Sequence, residues 1–243
     1  MNRKNEKGRD AMWICGKQAV KAALQNPKRE ILRLIVLESC KDFQNEKIKA
    51  EIVDKNFFNS IFGRDAVHQG CAVFVKKFRE LFIEDLLKDE SDERPFVFLD
   101  QVSDPQNVGS ILRAAAVFGA RAVVTTENNS PELTPSVVKA ASGAVEFVPL
   151  IRVVNLVRAL NDLKERGFWR VGLDERADKT LAETPLNGKF AFVVGSEGGG
   201  MRRLTRESCD FLVKLPCSDN FSTLNAAQAA TVALYEILRQ KKG

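Results

Sequence analysis

Hydrophobic residues follow two different periods along the second half of the chain. Continuous apolar runs of strand length occur at 95–100 (PFVFLD) and 189–195 (KFAFVVG). Other stretches, such as 155–167 (NLVRALNDLKERG), place apolar residues three or four positions apart, as on one face of a helix. Strand patterns that alternate with helix patterns are typical of a parallel sheet covered by helices on both faces. We therefore predict an α/β domain over residues 95–243.

Turn and capping residues separate the predicted elements of this domain. We expect Ser103 or Asp104 to cap the first helix, with Pro105 in its first turn and Gly119 at its end. Predicted strands lie at 95–100, 121–126, 146–151, 168–174, 189–195 and 210–216. Further predicted helices lie at 135–142, 155–167, 202–209 and 224–242.

The first half of the chain also mixes helix and strand patterns. A helix is predicted at 17–26 (KQAVKAALQN), and strands are predicted at 31–37 and 71–78. Residues 83–94 are densely charged and a proline follows them, which is typical of a linker. We therefore expect a small α/β domain at 1–82, connected by that linker to the larger domain.

The composition excludes several classes of protein. The 243 residues are 44% hydrophobic, enough for a buried core. No apolar run reaches the roughly 18 residues of a membrane helix, and the basic N-terminus lacks the apolar segment of a secretion signal, so we expect a soluble cytoplasmic protein without membrane contact. The five cysteines form no C-x-x-C pair, which indicates reduced thiols and no bound metal. A net charge of +5 permits an anionic partner without requiring one.

A glycine-rich stretch at 193–203 (VVGSEGGGMRR) follows one of the predicted strands. The phosphate loop of NTP hydrolases requires a Lys-Ser or Lys-Thr pair after its glycines. No such pair follows the glycines here, which argues against an NTP hydrolase. The stretch follows a late strand and has Arg203 where a dinucleotide-binding loop has its third glycine. Taken alone, the stretch is also compatible with a tight turn that glycine permits. The single histidine, His68, lies at the entry to the predicted strand at 71–78 in the other domain, where we expect a structural role.

Three segments taken together resemble a known family. Residues 99–120, 192–210 and 213–240 are similar, in order and spacing, to motifs 1, 2 and 3 of the SpoU/TrmH family of RNA ribose 2′-O-methyltransferases, in the SPOUT superfamily. The stretches AVHQG, KAASGAVEFVPLIRVVNL and GMRRLTRE are most similar to the branch that methylates a guanosine of 23S ribosomal RNA. The resemblance implies S-adenosylmethionine as the cofactor, a C-terminal domain tied in a deep trefoil knot and an N-terminal RNA-binding domain.

The resemblance also implies the site residues. Cofactor binding falls to the backbone of Gly195, Leu215 and Leu224, and catalysis to Arg113, Asn107, Glu197, Thr223 and Asn225, with Ser222 as a further candidate nearby. Because an arginine pKa exceeds about 12, we expect Arg113 to hold a substrate phosphate and stabilise the developing alkoxide, not to act as a base. Asn107 lies roughly 600° of helical turn before Arg113, so it is expected on another face, where it orients the active-site loop. Glu197 is expected to fix Arg113 or its own loop.

Ribosomal RNA, in the peptidyl-transferase region, is the partner that the resemblance implies. Arg202 and Arg203 are expected to contact RNA phosphate or the subunit interface. Residues 1–29 hold eight Lys or Arg against two acids, and we assign RNA binding to Lys17 and Lys21 among them. A homodimer through the C-terminal domain is also implied, and we expect an apolar face of the last helix to form it: Val232, Leu234, Ile237 and Leu238.

Departures from the family pattern leave alternatives open. Thr223 and Ala227 stand where motif 3 has two serines, so any hydrogen bond that the second serine makes is lost.

A transfer-RNA guanosine 2′-O-methyltransferase would share the same motifs but differ in its N-terminal region. A catalytically idle RNA-binding relative is a second alternative, although the four family residues Asn107, Arg113, Glu197 and Asn225 are all present. A cytosine-carbon methyltransferase with Cys217 as nucleophile is a third, but the Rossmann glycines of that class are missing.

Overall fold

The computed structural model divides the chain into two compact units, which are described separately. It describes residues 10–41, 43, 48–64, 66–128, 130–218, 220 and 223–242. The smaller unit runs to Arg79 and includes Ser142–Glu146, and the larger unit contains Glu80–Ala141 and Phe147–Gly243. Within the described ranges, no helix combines the length and the apolar character needed to cross a membrane.

A four-stranded sheet with two helices forms the smaller unit. Its elements are β1 (Ala11–Cys15), α1 (Lys17–Gln25), β2 (Ile31–Val36), β3 (Ala50–Ile52), α2 (Lys55–Phe62) and β4 (Cys71–Lys76). The strand order is β1-β4-β2-β3, and β3 alone pairs in parallel, with β2. The predicted helix and both predicted strands are confirmed, each one or two residues shorter at its end. Strands β1 and β3 and helix α2 were not predicted.

The histidine of this unit packs against an aromatic ring. His68 stacks on the buried Phe58 at 4.4 Å between ring centroids, and its Nδ1 accepts a hydrogen bond from the Gly70 backbone at 3.1 Å. Burial, and next the charge of Lys55, lowers the pKa of His68, so the neutral ring is favoured. These contacts assign His68 a structural role in this unit.

A seven-stranded parallel sheet forms the centre of the larger unit. Its strands are β5 (Phe96–Asp100), β6 (Ala122–Thr126), β7 (Leu150–Val153), β8 (Phe168–Leu173), β9 (Lys179–Thr180), β10 (Lys189–Gly195) and β11 (Phe211–Lys214). They lie in the order β7-β6-β5-β10-β8-β11-β9. All five residues of β5 are buried, as expected for a central strand with helices on both faces. The predicted parallel α/β architecture is confirmed, while the trefoil knot stays a prediction.

The helices of the larger unit are α3 (Ile83–Leu86), α4 (Pro105–Val117), α5 (Pro135–Ala141), α6 (Leu156–Glu165), α7 (Arg203–Glu207) and α8 (Ala226–Lys242). Asp104 caps α4, because its carboxylate accepts hydrogen bonds from the backbone nitrogens of Gln106 and Asn107 at 3.1 and 3.3 Å. The strand predicted at 146–151 is wrong at its start. Glu146 ends a 3-10 turn of the smaller unit, and β7 begins only at Leu150.

Helix α8 buries much of the apolar face that we expected at a subunit interface. Leu234 and Ile237 are almost fully buried, because α8 packs against α4 and β10 of its own chain. Leu238 is half-buried, and Val232 alone of the predicted set is exposed. Leu234 and Ile237 therefore belong to the core and cannot contact a second copy.

The segment that we predicted to be a linker, 83–94, packs on the larger unit. Ile83 and Leu87 are buried in its core. The buried Arg121 guanidinium donates hydrogen bonds to three backbone carbonyls of the segment: those of Leu86, Asp89 and Asp92, the last two at 2.8 and 2.7 Å. The same guanidinium pairs with the Asp92 carboxylate at 3.1 Å. A fragment of the larger unit should therefore begin near Glu80, since one that begins at Pro95 would lack all of these contacts.

We predict that Arg121→Met destabilises the larger unit strongly. The change leaves three carbonyls without their donor, and the expected loss is about 2–4 kcal/mol in the free energy of unfolding. Arg94→Met is the matched control, because Arg94 also pairs with Asp92 but is 58% exposed, against 3% for Arg121. That control should cost no more than about 1 kcal/mol. Urea titration followed by circular dichroism measures both, and equal losses would contradict a fixed role for residues 83–94.

Candidate functional site

A cavity of about 510 Å³ lies at the carboxyl ends of the central strands of the larger unit. It is lined by the loop after β10, by the chain after β11 and by the residues just before α8. Carboxyl ends of parallel strands meet at one edge of a sheet, which is the usual ligand edge of such folds. The predicted site residues that line the cavity are Gly195, Glu197, Leu215, Thr223, Leu224 and Asn225. The fold thus brings together residues from motifs 2 and 3.

The glycine loop at this edge folds back on itself. A Cβ on Gly195 would lie 2.2 Å from the carbonyl carbon of Gly200 and 2.3 Å from the nitrogen of Met201. Ser196 and Gly200 exchange two backbone hydrogen bonds, at 3.1 and 2.9 Å. Gly198 and Gly200 have φ values of 75° and 64°, a region that favours glycine. Glycine at 195 is therefore required by the loop's own backbone.

Glu197 connects the glycine loop to motif 1. Its Oε1 accepts a hydrogen bond of 2.7 Å from Nδ2 of Asn107, at the start of α4. We expected Glu197 to fix Arg113 or its own loop. This contact joins the loop to the start of α4, and within the described ranges no hydrogen bond or ion pair joins Glu197 to Arg113.

Arg202 is anchored inside the larger unit. Its backbone nitrogen and its Nε each donate to the Asp100 carboxylate at 2.7 Å. Asp100 is fully buried, while the Arg202 side chain is 50% exposed. Arg203 is exposed and pairs with Glu207, one turn later, at 2.8 Å. Half of the Arg202 guanidinium is therefore committed to Asp100, a partner that we did not predict although it ends an apolar strand.

Asn225 begins the last helix. Its Oδ1 accepts from the backbone nitrogen of Gln228 at 2.7 Å, and its own nitrogen donates to the Gln228 side chain at 3.1 Å. The Asn225 oxygen is thus occupied by a capping box, and its amide nitrogen is the group that can face a ligand. Thr223 and Leu224 are exposed on the same wall. Ser222 lies outside the described residues.

Arg113 is not among the residues that line this cavity. It lies in the third turn of α4, about 12 Å along the helix from Pro105. Its side chain is exposed, and it forms no hydrogen bond or ion pair with any residue that the structure describes. Of the predicted catalytic residues that the structure describes, Glu197, Thr223 and Asn225 line the cavity and Asn107 binds Glu197, whereas Arg113 does neither.

The basic residues of the smaller unit differ in their exposure. Lys17 and Lys21 lie on α1 with exposed side chains. Arg29 is buried and pairs with the buried Glu146 at 2.7 Å, so its charge is not available to a phosphate. Four of the eight basic residues counted in 1–29 precede Lys17 and lie outside the described residues: Arg3, Lys4, Lys7 and Arg9.

The cysteines differ in their exposure and reactivity. Cys217 is exposed and lines the cavity. Burial raises the pKa of Cys209 to about 12 and that of Cys71 to about 11, which makes both thiols poor nucleophiles. The His, Cys, Asp and Glu residues of the described ranges form no group of three that could hold a metal ion.

Known proteins resemble this chain along most of its length. Residues 94–235 match the model of the SpoU rRNA Methylase family, and residues 13–81 match RNA 2′-O ribose methyltransferase substrate binding. The 23S rRNA (guanosine-2′-O-)-methyltransferase RlmB of Pectobacterium atrosepticum is 39% identical over 240 residues, 95% of this chain and 98% of the relative. The RlmB protein of Yersinia pestis is also 39% identical, over 94% of this chain and 97% of the relative.

A solved structure shares the fold. The SpoU methyltransferase AviRb from Streptomyces viridochromogenes, determined in complex with the cofactor AdoMet, has a TM-score of 0.80 at 20% identity and covers 99% of this chain and 94% of its own. At 20% identity, this similarity is evidence for the fold only. The family model covers more than half of the chain, and it includes the glycine loop, α4 and most of α8. The chain therefore belongs to the SpoU rRNA methylase family.

Proposed function

We propose that this protein uses S-adenosylmethionine to methylate the ribose 2′-hydroxyl of a guanosine in 23S ribosomal RNA, in the peptidyl-transferase region. The observation that carries the proposal is the cavity at the carboxyl edge of the sheet, where the glycine loop meets Leu215 and Leu224. Relatives named for this reaction match along both units of the chain, including the region of the substrate-binding model. Such a substrate implies action in the cytoplasm.

The cavity has the size and lining that the cofactor requires. Its volume of about 510 Å³ lies within the range of about 300–1,000 Å³ that is usual for small-molecule sites. Leucine side chains give an apolar wall suited to adenine, and the four glycines of the loop offer backbone hydrogen-bonding groups without side chains of their own. We assign the cofactor to the backbone of Gly195, Leu215 and Leu224. When bound, it supplies a methyl group on a sulfonium, which is an electrophile.

The transfer joins ribose O2′ to the methyl carbon, breaks the bond between that carbon and sulfur, and releases the hydroxyl proton to solvent. A 2′-hydroxyl is a weak nucleophile, so its in-line placement and the stabilisation of its developing charge determine the rate. We assign the second role to Arg113, together with a substrate phosphate. Asn107 and Glu197 hold the loop next to the reacting atoms through their 2.7 Å hydrogen bond. Thr223 and the free amide of Asn225 are assigned to the ribose side of the cavity.

A homodimer through the larger unit would bring Arg113 to a cavity. Val117, Val232 and Tyr235 leave an exposed apolar surface on α4 and α8, and Arg113 lies on the same helix as Val117. Two copies that meet on this surface would bury it, since a symmetric contact pairs the same patch with itself. Asn107 faces its own cavity edge, and roughly 240° of helical rotation separates Arg113 from it. We therefore propose that Arg113 of one chain serves the cavity of the other.

The smaller unit is assigned to the choice of RNA. Lys17 and Lys21 are exposed there and available to phosphates, and we keep Arg203 and the free half of Arg202 as RNA contacts near the cavity. A transfer-RNA substrate remains the second candidate, because the motifs around the cavity do not distinguish the two RNAs.

We predict that the purified chain transfers tritium-labelled methyl groups from S-adenosylmethionine to 23S ribosomal RNA and not to transfer RNA. Cys217→Ser should keep this activity within about twofold, because an oxygen nucleophile needs no protein thiol. Nuclease digestion and chromatography identify the 2′-O-methylated nucleoside. Methylation of transfer RNA alone would overturn the choice of substrate. A 5-methylcytosine product from the wild-type chain, together with loss of activity in Cys217→Ser, would overturn the proposal of ribose methylation.

Cofactor binding should protect Cys217 from alkylation. At a cofactor concentration ten times its Kd, about one tenth of the cavities stay empty, so maleimide labelling of Cys217 should slow about tenfold. Cys40, a half-buried cysteine of the smaller unit, is the internal control and should label at an unchanged rate. Peptide mass spectrometry reads both sites. An unchanged labelling rate of Cys217 at saturating cofactor would contradict the proposal that the cofactor binds in this cavity.

We predict that two inactive variants restore activity to each other. Arg113→Ala keeps an intact cavity, and Gly195→Ala keeps Arg113 but disrupts the glycine loop. If each site is shared between two chains, random mixing should give about a quarter of the wild-type activity, since half of the dimers then hold one complete site. Sedimentation should show dimers for both variants. Dimers without regained activity would place Arg113 in the cavity of its own chain.

A further inference from the structure

Asp100 stands at the junction of motif 1 and the glycine loop. It is the last residue of β5 and lies in register with Gly195 of the neighbouring β10. It is fully buried, and its two oxygens accept from the backbone nitrogen and the Nε of Arg202, both at 2.7 Å. A buried carboxylate is tolerated only when it is paired and hydrogen-bonded, so this pair has one defined geometry.

The pair closes the glycine loop at its end. The loop leaves the sheet at Gly195, beside Asp100, and the backbone of Arg202 returns to the Asp100 carboxylate. All residues between these two points, Ser196 to Met201, line the cavity, whereas Asp100 and Arg202 do not. Asp100 can therefore affect the cavity only through the position of the loop.

The turn that follows Asp100 is also constrained. Gln101 has a φ of 63°, which is uncommon for residues other than glycine and persists only where surrounding contacts hold it. The chain then reaches α4, where Asn107 binds Glu197 at the tip of the loop. Motif 1 thus holds the loop at two points, and Asp100 provides the buried one.

We propose that Asp100 is a positioning residue, which sets the affinity of the cavity for S-adenosylmethionine by fixing the return of the glycine loop through Arg202. The inference rests on the proposed function. It predicts that a change at Asp100 weakens cofactor binding, and that turnover at saturating cofactor is largely retained.

The chain offers a matched control at the start of β11. Asp210 accepts hydrogen bonds from the backbone nitrogen, the Nε and the Nη2 of Arg170 at 3.0, 3.0 and 2.8 Å. Here too a carboxylate accepts from the backbone and the guanidinium of one arginine, and the Arg170 and Asp210 side chains are 6% and 12% exposed. Neither Asp210 nor Arg170 lines the cavity, and Asp210 lies immediately before the amino end of β11. Loss of a buried Arg–Asp pair can thus be separated from displacement of the loop.

The test measures cofactor affinity of the full chain by calorimetry, together with its Tm. Asp100→Asn should raise the Kd for S-adenosylmethionine at least about tenfold and raise the KM for it in parallel, with kcat kept within about threefold. Asp210→Asn should lower the Tm at least as much and leave the Kd within about twofold. Arg202→Gln removes the side-chain half of the pair but keeps the backbone half, so its Kd should rise by about threefold.

Two results would overturn the proposal: an unchanged Kd in Asp100→Asn, or equal rises of Kd in Asp100→Asn and Asp210→Asn. If Asp100→Asn does not fold, Arg202→Gln decides, because its side chain is half-exposed and an unchanged Kd there overturns the proposal as well. A wild-type chain that binds no S-adenosylmethionine would instead refute the proposed function.

Discussion

The close approach of backbone to backbone at Gly195 is the constraint on which the site depends. The loop returns so tightly that Gly200 and Met201 occupy the space of a Cβ at 195. This return lets eight consecutive residues, Val194 to Met201, line one wall of the cavity, and four of them are glycines that present only main chain. Two contacts with motif 1, at Asp100 and at Asn107, hold the loop in that position. A backbone wall of this kind can recognise a cofactor without an acidic ribose ligand.

Much of the larger unit could be predicted from the pattern of the chain. Its central strands are short apolar runs that end in glycine or aspartate, and α4 begins with Asp104 and Pro105, which are strong local signals. The smaller unit was harder to predict. Helix α2 (KNFFNSIF) has aromatic residues typical of strands, and its helical form depends on the cap at Asp54 and on packing of Phe58.

The parts that the sequence could not supply are contacts between distant side chains. The charges at 83–94 suggested a linker, yet Arg121, far along the chain, binds the carbonyls of that segment. The spacing of Leu234 and Ile237 places them on one apolar face of the last helix, and we assigned that face to a subunit interface. Their burial within the chain depends on the position of α4, which the spacing does not give. The pairs Asp100–Arg202 and Asn107–Glu197 join residues about ninety or more positions apart. Local periodicity carries no information about such pairs, although the family motifs did identify three of these four residues.

The central claim is that the cavity serves methylation of a ribosomal guanosine. The most direct test maps 2′-O-methylation across ribosomal and transfer RNA in cells with and without this gene. We predict that one guanosine of 23S ribosomal RNA loses its methyl group in the deletion strain. The wild-type gene should restore it and the Arg113→Ala variant should not. Loss of a methyl group from transfer RNA, with ribosomal RNA unchanged, would contradict the account.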